Sequence, residues 1–144
     1  MTTSTQQHDA RADTSSRRLA ALRGNCMGAA VLLIIQFALG IAVNLYVTLP
    51  HHKPFLATVS GSALLAAHVI VALALLGASI SALARAIRAR RVIVPTAIGL
   101  AAVLAAATAG AAFTSSQNTG ASLAMALATA VAMISYLATI FRLR

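Results

Sequence analysis

An all-α fold is predicted: a transmembrane four-helix bundle with both termini cytoplasmic and a disordered N-terminal tail. Three observations predict it. Four apolar runs are each long enough to cross a bilayer, Lys and Arg gather at alternate flanks of those runs, and the only acidic residues are Asp9 and Asp13. With 60% hydrophobic and 9% charged residues and a mean hydropathy of +0.88, the 144-residue chain is far more apolar than a soluble domain of that size.

Residues 1–24 are expected to form a disordered, basic cytoplasmic tail. Its first part, MTTSTQQHDARADTSS, has no apolar periodicity and cannot bury enough surface to offset the entropy of ordering. The transmembrane domain is expected over residues 25–144, with spans at about 26–49, 57–84, 92–113 and 120–141. The first run, Cys26 to Leu49, would extend roughly 36 Å as a helix, against a hydrocarbon core of ~30 Å. Pro50, His51, His52, Lys53 and Pro54 make a polar turn. The second run opens on FLATVSGS, mixed enough to lie at the interface before the helix enters the membrane. Arg85, Arg88, Arg90 and Arg91 close it, Pro95 opens the third run in its first turn, and an uncharged TSSQNT stretch precedes the fourth; a proline there costs little because its missing N–H has no intrahelical partner.

Orientation follows from the cationic residues. Arg11, Arg17, Arg18 and Arg23 precede the first span, four Arg sit between the second and third, Arg142 and Arg144 follow the fourth, and the other two connections hold only Lys53. All three basic flanks fall on one side only if the number of spans is four. The plasma (inner) membrane is the expected location, and the lipid bilayer the expected environment. Ser16-Arg17-Arg18-Leu19 has a faint likeness to a twin-arginine export signal, but the following run is too long and lacks a small-x-small cleavage site, so an uncleaved first helix is expected.

The charge of +9 does not read as nucleic-acid binding, which needs a basic stripe with stacking side chains; Trp is absent and aromatics are 4%. Cys26 is the only cysteine, so no intrachain disulfide or Cys-rich metal site can form. No Ser or Thr has an evident His-Asp pairing, and no enzyme is expected.

Association of helices in lipid relies on small residues and interhelical hydrogen bonds. Gln36, Gly40 and Asn44 form one such face in the first helix, and Gly61, His68, Ala72 and Ser79 another in the second. Ala102, Ala106 and Gly110 form the third, and Gly120, Ala124, Ala128 and Ala132 the fourth. Gln36, Asn44 and Ser79 are expected to bond across the bundle, and Tyr46 and Tyr136 to anchor at the interfaces.

His68 is the only ionisable residue deep in a span; such groups are functional candidates, and its alternative is a neutral imidazole bonded to Gln36 or Asn44. His68, Gln36 and Asn44 are therefore the candidate intramembrane cluster. A b-type haem would need a second axial ligand beside His68, from Met125, Met133 or a second copy. His51 and His52 are weak metal candidates without a Cys or carboxylate. No resident cofactor or metal is otherwise indicated. Two functions are carried forward: a non-enzymatic bundle that self-associates or serves as an accessory subunit of other membrane proteins, and a transport or redox module centred on His68.

The string Asn44-Leu45-Tyr46-Val47-Thr48-Leu49-Pro50 followed by His51-His52 resembles the end of the first helix in a family of uncharacterised four-span membrane proteins of actinobacteria. Leu65-Ala66-Ala67-His68, Gly110-Ala111-Ala112-Phe113 and Ser122-Leu123-Ala124-Met125-Ala126-Leu127 are similar to later segments, so the likeness covers most of residues 26–141. Two departures stand out: a shorter connection after Pro54, and Ser115 and Thr119 where the family has acidic residues. The resemblance implies the topology and points to His68, Asn44 and His52, without implying an activity.

Overall fold

The computed structural model describes residues 3–47, 55–116 and 118–143, with side chains described over 14–47, 57–114 and 118–143. Five helices follow in order: α1 (Thr3–Tyr46), α2 (Phe55–Ser60), α3 (Ala63–Ala89), α4 (Ile93–Ser116) and α5 (Thr119–Arg142). All but α2 are long and apolar enough to cross a membrane, with mean hydropathies of 1.9 to 2.4 in their most apolar windows. Gly61 and Ser62 separate α2 from α3. Ser62 is extended (φ −137°, ψ 112°) and its hydroxyl accepts from Leu65 N at 3.3 Å, capping the new helix.

Helix α1 is drawn back to Thr3, through the stretch expected to be disordered. A polar segment with no apolar stripe can be helical there by continuing the turns of the apolar run after it, which avoids a fresh nucleation step.

Around the bundle the helices follow the order α1, α3, α4, α5; the most extensive contacts are α4 with α5 and α1 with α3. Short connections at 90–92 and 117–118 make antiparallel neighbours. The Arg85–Arg91 segment, the start of the α1 span and the end of α5 therefore share one end, here termed the basic end.

The inward faces share one periodicity. On α1 the inward residues are Leu22, Cys26, Ala29, Leu33, Gln36 and Gly40; on α3, Leu65, His68, Ala72, Leu75, Ser79 and Ala82; on α5, Ser122, Met125, Thr129, Ala132, Tyr136 and Thr139. Alternating steps of three and four give the 3.5-residue repeat with which helices pack at shallow angles. Outward positions such as Ile34, Ile70, Leu73, Leu127 and Ile134 are large, apolar and exposed. That surface suits lipid rather than water.

Two expectations are corrected. On α5, Gly120 and Ala124 are exposed while Ala132 is fully buried; a strict four-residue ladder rotates about 40° per step and leaves the seam. Tyr136 is not an interface anchor but a core residue with no exposed surface, whereas Tyr46 is 81% exposed. Gly99 makes room for the Tyr136 ring: a Cβ on Gly99 would stand 2.8 Å from Tyr136 Cζ.

The core is confined to the half of the bundle nearer the basic end. Leu22, Cys26, Leu33, Ala82, Ala86 and Tyr136 are its centre. Asn25 ties α1 to α3 there, donating from Nδ2 to Ala78 O at 2.8 Å. In the other half of the bundle, the described inward positions line a cavity instead.

Candidate functional site

The site grows out of one interhelical hydrogen bond. Gln36 on α1 and His68 on α3 meet at 3.0 Å between their Nε2 atoms, because each occupies a seam position and Gly40, one turn further along α1, leaves space for the imidazole. A Cβ on Gly40 would lie 3.3 Å from His68 Cε1, so the ring rests against bare backbone. Asn25–Ala78 and Gln36–His68 are spaced 11 residues apart on α1 and 10 on α3. The two links therefore hold one antiparallel register over about 16 Å.

Two atoms of this pair, Gln36 Oε1 and His68 Nδ1, are buried with no hydrogen-bond partner. With Gln36 Nε2 against the ring, the amide donates to a neutral imidazole whose proton is on Nδ1; with the amide reversed, the imidazole donates to Oε1. In either arrangement one donor and one acceptor are left over. That combination matches a group that both donates and accepts, such as a hydroxyl or a water molecule.

The pair lies in the wall of a cavity of about 340 Å³ to which α1, α3, α4 and α5 all contribute. Leu33, Leu65, Ala72, Val103, Ala106 and Gly110 supply much of its apolar surface. Among the described residues, no Asp, Glu, Lys or Arg lines it. Of its hydroxyls, Thr129 donates to Met125 O at 2.8 Å and Thr114 to Ala111 O at 2.7 Å; both donor protons are used within their own helices.

The predicted cluster is thus brought together in part. Gln36 bonds to His68 across the bundle as expected. Asn44 lines the same cavity but the described hydrogen bonds do not join it to the pair. The Ser79 hydroxyl donates to Leu75 O at 2.7 Å on its own helix. It neighbours the Tyr136 hydroxyl, which has no partner of hydrogen-bonding geometry. Asn25 was outside the predicted span and its bond was not anticipated, although an Asn one residue before a long apolar run is itself a signal for interhelical bonding.

Of the two methionines considered as second haem ligands, Met125 lines the cavity with His68, whereas Met133 packs against the core of the basic half. His68 Nε2 faces Gln36, and Nδ1 is buried without a hydrogen-bond partner among the described residues. His51 and His52 lie outside the described residues, among which no cluster of three or more His, Cys, Asp or Glu side chains occurs.

Fold and surface together define a class: an integral membrane protein of helices suited to a lipid bilayer. No family model matches the chain, and no curated protein or solved structure matches it.

Proposed function

We propose that this chain is a non-enzymatic membrane protein that holds an uncharged lipophilic molecule in its cavity, with His68 and Gln36 anchoring a hydroxyl or similar polar end. The observation that carries this reading is the pairing of apolar walls from four helices with one buried donor and one buried acceptor lacking partners. An uncharged ligand is favoured because the described lining carries no charged side chain. The basic end belongs on the cytoplasmic side of the plasma membrane by the positive-inside rule, which puts the cavity in the outer leaflet. Proton-coupled transport through His68 is disfavoured by the packed basic half, where Leu22, Cys26 and Tyr136 have no exposed surface.

The test is extraction of the detergent-purified protein with organic solvent followed by mass spectrometry. A lipophilic compound is expected to accompany the wild-type chain and to fall severalfold in Ala106→Phe, which fills the cavity. Equal recovery from a folded Ala106→Phe variant would overturn the assignment.

A second reading is self-association or docking to another membrane subunit. Gly24 and Gly28 on α1, four residues apart and exposed with nothing within 4 Å of a Cβ on either, form the kind of small-residue groove that helices use for close approach. Cross-linking in native membranes that captures only monomer, for both wild type and Gly28→Leu, would remove it. Membership of the actinobacterial four-span family is likewise proposed on the residues quoted above.

A further inference from the structure

At the basic end, α1 and the α3–α4 turn enclose a second cleft, of about 310 Å³, lined by Arg18 and Leu19, by the hydroxyl residues Thr14 and Ser15, and by Arg88 and Arg91. We propose that this cleft binds the phosphate of an anionic phospholipid.

Arg18 is 70 positions from Arg88 in the sequence, and the packing of α1 on α3 brings Arg18, Arg88 and Arg91 to the lining of one cleft. Each is a planar fork suited to bidentate contact with phosphate oxygens. The sequence holds two acidic residues against eleven Lys and Arg, so most of this positive charge must be balanced by anions from outside the chain. The end of α3 would ordinarily oppose an anion, because its last carbonyls carry the negative pole of the helix. Here two of those carbonyls are occupied: Arg90 N–H bonds Ile87 O at 3.1 Å and Arg91 N–H bonds Ala86 O at 3.2 Å. This closure needs Arg90 in the left-handed region at φ 50°, and it is the turn that sets Arg91 beside Arg88.

A lipid rather than a free anion is favoured by what lies next to the cleft. Leu19 forms part of its lining, and the exposed apolar residues Met27, Ile80 and Ile87 follow within about two turns along α1 and α3. Acyl chains can run down that flank while the headgroup sits among the arginines, as in other basic pockets between membrane helices.

The test uses the full chain in mild detergent, with binding of phosphatidylglycerol, phosphatidylcholine and inorganic phosphate measured by native mass spectrometry and by thermal shift. Phosphatidylglycerol is expected to bind at least tenfold more tightly than phosphatidylcholine. The R18Q/R88Q/R91Q variant should lose at least tenfold, while R23Q/R85Q/R142Q, with the same loss of charge elsewhere at this end, should change less than twofold. Should the first variant not fold, R18K/R88K/R91K retains the charge without the planar forks and is expected to lose severalfold. Equal losses in the glutamine variants, or no loss in the lysine variant, would overturn the site. Inorganic phosphate shifting stability as strongly as the lipid at equal concentration would overturn the lipid assignment. Since the cleft and the cavity occupy opposite halves of the bundle, neither result bears on the cavity ligand.

Discussion

Single residues decide how closely these helices approach. Gly99→Ala would drive a methyl group to 2.8 Å from Tyr136 Cζ, and because the ring is fully buried it has nowhere to retreat. A loss of about 1–3 kcal/mol is expected from overpacking, readable as a lower unfolding midpoint in detergent. Arg90→Gly should act in the opposite direction. A non-glycine residue at φ 50° carries a cost of about 1–2 kcal/mol that glycine avoids, and part of that should return as stability in the same assay. At this scale the sequence was informative where chemistry was rare: a lone histidine and a glutamine inside apolar runs pointed to each other. It was misleading for Tyr136, because a tyrosine near a helix end has the same local signature whether it meets the membrane interface or a glycine on a neighbouring helix. Only the position of Gly99, on another element, separates the two.

Between elements, the bond from Gln36 to His68 is expected to contribute about 0.6–2 kcal/mol to the α1–α3 pairing. Replacing one partner strands the other, so His68→Leu should cost more than the bond itself contributes, and Gln36→Leu in that background should recover part of the loss. A double-mutant cycle on thermal unfolding measures the coupling, and strictly additive effects would refute it. Helix existence was readable from apolar length alone, and the inward faces of α1 and α3 in part: Gln36, Gly40, His68, Ala72 and Ser79 lie on them, whereas Asn44 and Gly61 are exposed. The face of α5 was not, since almost every position from Ala121 to Ala132 is small or apolar. The three-four alternation through Ser122, Met125, Thr129, Ala132, Tyr136 and Thr139 is visible once the seam is known, but alanine on all sides gives no contrast with which to find it. FLATVSGS was expected to lie at the interface, but the break at Gly61 and the capping role of Ser62 were not legible in it.

Across the whole molecule, packing is uneven along the bundle axis. The half near the arginines is filled by Leu22, Cys26, Ala82 and Tyr136, and the other half surrounds the cavity. Cys26 has no exposed surface, which gives the chain a built-in reporter. Alkylation by a membrane-permeant maleimide should be slow in the folded protein and complete in strong denaturing detergent; rapid labelling in the native state would show that the basic half is not packed as described. No sequence rule could have located the void, because it is a deficit of volume summed over four helices rather than a property of any one of them. A bundle clamped at one end and slack at the other has a mechanical consequence: it can taper. Lateral squeezing of one leaflet would narrow the slack end without disturbing the clamp, and amide hydrogen exchange in vesicles of rising curvature stress should slow around Gly110 and Met125 while residues near Leu22 and Ala82 stay unchanged.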